Sequence, residues 1–117
     1  MIRSAHQMKK EERVAMRGGK GAITITHAFT KEDLRSATRL CARLTIPPGA
    51  SIGPHAHEGE EEVFCILSGR GRVDDNGTIA DVGPGDAILT GGGARHAIEN
   101  TGAEPLEVMA FIGCYPK

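Results

Sequence analysis

The sequence predicts an all-β sandwich or barrel, and three observations support this class. Short segments of alternating or β-branched residues recur about every 8–12 residues, with turn signals between them. The 117 residues include 16 Gly and six Pro, which is typical of a chain with many turns. The pair Asn76-Gly77 is a strong signal for a two-residue hairpin. A chain of this length is expected to form one domain.

The individual strands follow from the same patterns. Residues 22–29 (AITITHAF) alternate and are rich in β-branched side chains, and residues 39–46 place their apolar side chains on one face. Between them, Thr30 and Asp33 have the form of a helix start, which predicts a helix of one or two turns. The remaining strands are predicted at residues 62–67, 72–73, 78–82, 87–90, 95–99 and 106–112.

The first 21 residues differ from the rest of the chain. They are mostly polar and end in the glycine-rich segment RGGKG at residues 17–21. We expect residues 1–21 to form an N-terminal arm that packs on the barrel or on a partner subunit. Residues 22–117 are expected to form the single barrel.

Composition argues against several classes of partner. Fourteen Lys and Arg against 15 Asp and Glu give a net charge of −1, so no nucleic-acid partner is expected. No apolar run approaches the roughly 18 residues of a membrane span, and the N-terminus lacks the apolar region of a secretory signal. Three cysteines without metal-type spacing are expected to be reduced thiols, which indicates a cytoplasmic protein.

Three of the five histidines lie where a metal site is plausible. His55 and His57 are two residues apart, so a strand would place both imidazoles on one face. The acidic run that contains Glu61 and Glu62 follows them, and His96 comes about 40 residues later. Three imidazoles and one carboxylate form a mixed nitrogen and oxygen site that suits Mn, Fe, Co, Ni or Zn.

Two sequence motifs carry a family resemblance. From Gly49 to Gly69 the spacing is G-x5-H-x-H-x4-E-x6-G, which resembles the first motif of the cupins. From Gly85 to Asn100 the spacing is G-x5-G-x-G-x-x-H-x3-N, which resembles their second motif. Gly91 stands where the second motif usually has Pro. The resemblance implies a double-stranded β-helix, that is, a cupin or jelly-roll barrel.

The resemblance also implies the ligands of one divalent transition metal. Carried over residue by residue, it assigns His55, His57, Glu62 and His96 to the metal. Glu61 competes with Glu62, because the first motif allows three or four intervening residues. The six-residue step to the glycine that closes the motif selects Glu62. The other glutamates of the run are expected to be solvated or loop charges.

Such a site indicates metal-dependent chemistry but does not identify the reaction. Four protein ligands on a metal that prefers six leave two adjacent positions for a small carboxylic or carbonyl metabolite. The first interpretation is a metal-dependent enzyme that acts on such a metabolite, as a dioxygenase, a decarboxylase or an isomerase; the alternative is a protein that only binds metal and ligand. The chain looks most like single-barrel, oxalate-decarboxylase-like bacterial cupins, but Ile52 stands where the oxalate enzymes have Arg, and those enzymes have two barrels.

Strand parity predicts the surroundings of the site and the oligomeric state. The interior is expected to be small and almost wholly apolar, with few acid or base groups unless the arm or a partner supplies them; the predicted lining residues are Leu44, Ile46, Phe64, Ile66, Ile88, Ile98, Val108 and Ala110. An interior without basic residues disfavours a sugar-phosphate isomerase. Cys41, Arg43 and Thr45 are expected to face outward, where a second subunit would cover the sheet and form a homodimer.

Overall fold

The computed structural model describes all 117 residues and contains ten strands and two short 3₁₀ segments, Ala5–Gln7 and Met16–Gly18. The strands are β1 (Lys9–Val14), β2 (Ala22–Phe29), β3 (Thr38–Ile46), β4 (Ser51–Ala56), β5 (Glu60–Ser68), β6 (Gly71–Asp75), β7 (Thr78–Val82), β8 (Ala87–Gly91), β9 (Arg95–Asn100) and β10 (Leu106–Cys114). The all-β prediction is confirmed. No helix in the structure is long and apolar enough to cross a membrane.

The strands form two antiparallel sheets. The larger sheet has the order β1-β2-β3-β10-β5-β8, and the smaller sheet has the order β4-β9-β6-β7. Strands far apart in sequence are neighbours in both sheets, since β10 lies between β3 and β5 and β9 lies between β4 and β6. The chain therefore passes back and forth between the sheets, as in a double-stranded β-helix.

A single hydrophobic core of 15 buried residues joins the two sheets. Seven of the eight side chains expected in the interior belong to it, and the eighth, Ile88, is only partly buried and packs against it. Cys41 was expected on the outer face of β3, but its exposed fraction is only 6%. Its neighbours across the sheet are Phe29 and Phe111, two large side chains that limit solvent access.

Every predicted strand is present, with both ends within two residues of the predicted position. Two observed strands, β1 and β4, lie outside the predicted ones. In β4, Gly53 and Pro54 interrupt the alternation of side chains that indicates a strand. The β1 segment KKEERV has no apolar residue before its last position, so it lacks the same signal.

The helix predicted at Thr30 is wrong, because the chain forms only a turn there. The Thr30 carbonyl accepts hydrogen bonds from the backbone N–H groups of Asp33 and Leu34 at 3.0 and 3.2 Å. The Asp33 carboxylate accepts from the Thr30 N–H at 2.9 Å and from the Arg3 guanidinium at 2.7 Å. The Arg3 contact in particular lowers the pKa of Asp33 to about 2. One turn has too few hydrogen bonds to propagate as a helix.

The first 21 residues lie along the barrel and end in a close backbone crossing. β1 pairs with β2 over its whole length, from Lys9 opposite His27 onward. The chain then passes over β4, where the Lys20 N–H donates to Ser51 Oγ at 2.9 Å. A Cβ atom on Gly53 would overlap the carbonyl oxygen of Arg17. The crossing therefore requires glycine at this position.

We predict that Gly53→Ala lowers the free energy of unfolding by about 1–3 kcal/mol, because the new methyl group has no space at the crossing. Gly113→Ala is the matched control, since a Cβ atom there meets nothing within 4 Å; it should change stability by less than about 0.5 kcal/mol. Urea denaturation followed by circular dichroism measures both. Equal stabilities for Gly53→Ala and the wild type would contradict the close crossing.

Candidate metal centre

The structure brings together the four side chains that the sequence singles out. His55 lies on β4, His57 follows that strand, Glu62 lies on β5 and His96 lies on β9. One donor atom from each residue lies within 4.8 Å of all the others. The exposed fractions of His57, Glu62 and His96 are 2%, 4% and 2%. Both sheets thus contribute to one buried cluster that could hold a metal ion.

Distances between the donor atoms fit ligands at right angles. His96 Nε2 lies 3.0 Å from His57 Nε2, 3.1 Å from His55 Nε2 and 3.0 Å from Glu62 Oε1. His57 Nε2 lies 2.9 Å from the same Glu62 oxygen. Two ligands about 2.1 Å from a metal lie about 3.0 Å apart at right angles and about 3.4 Å apart in a tetrahedron. These four of the six donor–donor distances therefore match right-angle spacing more closely than tetrahedral spacing.

Proton positions in the cluster also call for a cation. His55 Nδ1 lies 2.8 Å from the Gly53 carbonyl, which can only accept, so the proton is on Nδ1. His57 Nδ1 lies 2.5 Å from the Glu60 carboxylate and donates in the same way. When the two rings are neutral, their Nε2 atoms therefore present lone pairs beside Glu62. Burial lowers the pKa of His55, which favours the neutral ring that a metal requires.

Glu60 is held next to the cluster rather than solvated, which corrects the expectation for this residue. Its carboxylate accepts two hydrogen bonds from the Arg39 guanidinium at 2.7 and 2.8 Å, in addition to the one from His57. The Arg39 contact is the main reason why the pKa of Glu60 falls to about 2. A carboxylate on the far side of a ligating imidazole fixes its tautomer and orientation. The only sequence signal for Glu60 is its position three residues after His57.

His96 is oriented by stacking instead of by a hydrogen bond. Its ring lies parallel to that of Phe64, with 4.8 Å between centroids and 9° between planes. Its Nδ1 atom is buried and has no hydrogen-bond partner. The aromatic contact therefore fixes the orientation of the His96 ring but not its tautomer.

Other polar residues near the motifs have structural contacts. Asn100 donates to the carbonyls of Ile46 and Glu104 at 2.8 Å and accepts from the Gly102 N–H at 2.8 Å, so its side chain stabilises a turn. Glu61 accepts from the Tyr115 hydroxyl at 3.1 Å and lies outside the cluster. Of the two competing glutamates, only Glu62 faces the histidines.

A cavity of about 410 Å³ adjoins the cluster, and its walls differ from the expected apolar interior. Only seven of its 19 lining residues are hydrophobic. The N-terminal segment supplies four charged side chains to the cavity wall: Lys9, Glu11, Arg13 and Arg17. The sequence prediction allows for charges supplied by the arm, and these four are such charges; the charges of Lys31, Glu32 and Arg39, within residues 22–117, were not expected. Because basic residues do line the cavity, the sequence argument against a sugar-phosphate isomerase does not hold.

The fold and the cluster define a small double-stranded β-helix with a candidate metal centre. The family model described as Cupin domain matches residues 42–112. The chain therefore belongs to the cupin family.

Relatives agree with this assignment over almost the whole chain. The chain is 42% identical to an oxalate-binding protein of Thermotoga maritima, over 96% of this chain and 93% of that protein. The crystal structure of a predicted oxalate decarboxylase from Thermotoga maritima is similar, with a TM-score of 0.93, 41% identity and coverage of 97% of this chain and 99% of that one. A putative sugar phosphate isomerase from Acidithiobacillus ferrooxidans has a TM-score of 0.76 at 22% identity, covering 96% and 74% of the two chains, and shows the fold alone.

We predict that Glu60→Gln weakens Mn²⁺ binding by about 10–100-fold, because it removes the charged acceptor that orients His57. Glu61→Gln is the matched control, since the neighbouring carboxylate contacts only Tyr115. Competition with a fluorescent chelator measures both affinities. The role given to Glu60 is wrong if the two variants bind Mn²⁺ equally well.

Proposed function

We propose that His55, His57, Glu62 and His96 ligate one divalent transition metal, and that the protein binds a small carboxylic or carbonyl metabolite at this metal. The observation that carries the proposal is the convergence of four donor atoms within 4.8 Å of one another, with four of the six donor–donor distances at the right-angle spacing of 2.9–3.1 Å. Four such ligands leave two adjacent positions of an octahedron open to a chelating ligand. Similarity to an oxalate-binding protein supports the same class of ligand.

The donor set and its spacing favour Mn, Fe, Co or Ni over Zn at this site. Nitrogen and carboxylate donors suit all five metals, but zinc with four protein ligands is usually tetrahedral. The four distances among the histidine Nε2 atoms and Glu62 Oε1, 2.9–3.1 Å, are shorter than the roughly 3.4 Å expected between tetrahedral ligands. Cellular availability decides among the remaining metals.

The bound metal would supply Lewis acidity, which polarises a carbonyl or stabilises an enolate. The protein residues prepare the place where the ligand binds. Phe64 packs against His96, while Ile52 and Ile112 line the same cavity and keep water from that side. Arg39 and Glu60 hold the His57 ring in its orientation. These groups create a rigid, partly dry binding position.

Catalysis of the dioxygenase, decarboxylase or isomerase type is the second candidate function. The observation that favours it is an acid and a base on the cavity wall. Glu11 Oε1 lies 3.7 Å from His27 Nε2, and both side chains line the cavity. Oxalate decarboxylation is disfavoured because the residue three positions before His55 is the apolar, buried Ile52. We therefore place binding first, since it requires only the cluster and the open positions.

We also propose that the protein is a homodimer that pairs through the outer face of the larger sheet. Apolar side chains adjoin there on three neighbouring strands, and we call them the outer patch: Val63 and Cys65 on β5, Leu89 on β8, Met109 and Phe111 on β10. Leu89 and Phe111 are 59% and 44% exposed. Contiguous apolar surface of this kind marks an interaction site.

Three free thiols support the expected cytoplasmic location.

We predict that purified protein loaded with Mn²⁺ binds one metal per chain and then binds oxalate, because the open positions accept two oxygen atoms. His96→Ala should lose both, since it removes a ligand at the centre of the cluster. His6→Ala, which changes an exposed histidine outside the cluster, should bind like the wild type. Elemental analysis and calorimetry measure the two steps. Oxalate binding that persists in metal-free protein would contradict the proposal.

We predict a light-scattering mass of twice the 12.4 kDa chain. Phe111→Lys should yield the monomer, because the charge would be buried without a partner in the dimer. Ile79→Lys is the control, since Ile79 is 66% exposed on β7 of the other sheet. A monomeric wild type, or dissociation by both variants alike, would be evidence against the outer patch.

A further inference from the structure

The cavity wall formed by the N-terminal segment carries charges that the metal cluster does not use. Alternate residues of β1, namely Lys9, Glu11 and Arg13, line the cavity, while Lys10 and Glu12 do not. Arg17 lines it as well, just after the strand. One face of an edge strand is therefore turned toward the same space as the candidate metal centre.

Cationic groups predominate on this wall. Five lysines or arginines line the cavity against three glutamates: Lys9, Arg13, Arg17, Lys31 and Arg39, and Glu11, Glu32 and Glu62. Arg39 is paired with Glu60, and Arg13 with Glu11 at 3.0 Å. Lys9, Arg17 and Lys31 form no ion pair within the chain. Of these three, Lys9 and Arg17 belong to the N-terminal segment, and their side chains are available to an anion in the cavity.

The backbone that presents Arg17 is fixed and strained. Ala15 and Arg17 both have left-handed conformations, with φ of 51° and 54°. Such conformations are costly for residues other than glycine and persist only where the surroundings enforce them. Here the enforcing contact is the crossing of the chain over Gly53, which leaves no space for a side chain. The position of the basic wall is therefore determined by the fold.

An apolar stretch separates the basic wall from the cluster. Ile25 on β2 and Leu44 on β3 line the same cavity, and these two strands lie between β1 and β5 in the larger sheet; Ile52 and Phe64 line it as well. The volume of about 410 Å³ lies in the range of pockets that hold whole small molecules. A ligand as short as oxalate, which has no carbon between its two carboxylates, would leave the basic wall without a partner.

We propose that Lys9, Arg13 and Arg17 form a second anion subsite, and that the preferred ligand is a 2-oxo or 2-hydroxy acid with a second anionic group at its far end. This inference rests on the proposed function, in which the first carboxylate and its neighbouring oxygen bind the metal. The apolar middle then packs against the carbon chain of the ligand. The far carboxylate or phosphate pairs with the basic side chains, which bind either group.

Two matched pairs of ligands test the subsite by calorimetry on Mn²⁺-loaded protein at physiological ionic strength. 2-Oxoglutarate is compared with 2-oxopentanoate, and 3-phosphoglycerate with glycerate; within each pair only the far anionic group differs. We expect the doubly anionic member to bind at least about tenfold more tightly in one pair or both. Preference in the first pair identifies a carboxylate site, and preference in the second a phosphate site. Equal affinities within both pairs would overturn the subsite.

Variants separate direct contact from long-range attraction. Lys9→Gln combined with Arg17→Gln removes the two unpaired basic side chains that the N-terminal segment supplies to the cavity wall. It should remove most of the preference and leave oxalate affinity within about twofold, because oxalate does not reach this wall. Lys10→Gln combined with Lys20→Gln removes two positive charges outside the cavity and should keep the preference. Loss of the preference in both double variants would overturn the subsite. If oxalate binds and neither pair shows a preference, only the subsite fails; if no acid binds metal-loaded protein, the proposed function fails with it.

Discussion

The constraint on which the structure depends is the burial of several hydrogen-bond acceptors at one point. In the neutral rings of His55 and His57 the protons are on Nδ1, so both Nε2 lone pairs lie near the Glu62 carboxylate. Unpaired acceptors in a buried place are costly, and a cation among them removes that cost. The donors come from β4, β5 and β9, so the point exists only when the two sheets are closed on each other. Fold closure and metal affinity are thereby coupled.

Much of the barrel follows from local sequence signals. Alternation in β2 and β3 and the Asn76-Gly77 turn are properties of a few adjacent residues, and the structure retains them. The convergence of His55, Glu62 and His96 was accessible only through family spacing, because no local pattern relates β4 to β9. The Arg39–Glu60 contact spans 21 residues and joins two strands separated by β10, so neither periodicity nor motif spacing indicates it. Pairings of this kind depend on the tertiary structure.

The interior polarity could not be predicted for a related reason. The alternation of side chains along each strand correctly predicts the inward faces of the barrel strands, and nearly all of the apolar residues expected there belong to the core. It gives no inward face to β1, because the segment KKEERV lacks the apolar positions that mark a buried side. The turn at Thr30 shows the converse, since the local contacts of a helix start are present while the helix is absent. A local sequence pattern therefore predicts an individual contact more reliably than it predicts the length of the helix or strand around that contact.

The charged side chains of β1 protect the edge of the larger sheet and also line the cavity. An edge strand presents unpaired backbone groups, and charged side chains there prevent pairing with other chains. In β1 these charges alternate between solvent, as at Lys10, and the cavity, as at Lys9 and Arg13. A strand that must be charged to protect an edge thus gives the barrel a polar wall opposite its apolar core. Because the fold alone does not choose a reaction, the proposal about the ligand rests on this wall and on the candidate metal centre together.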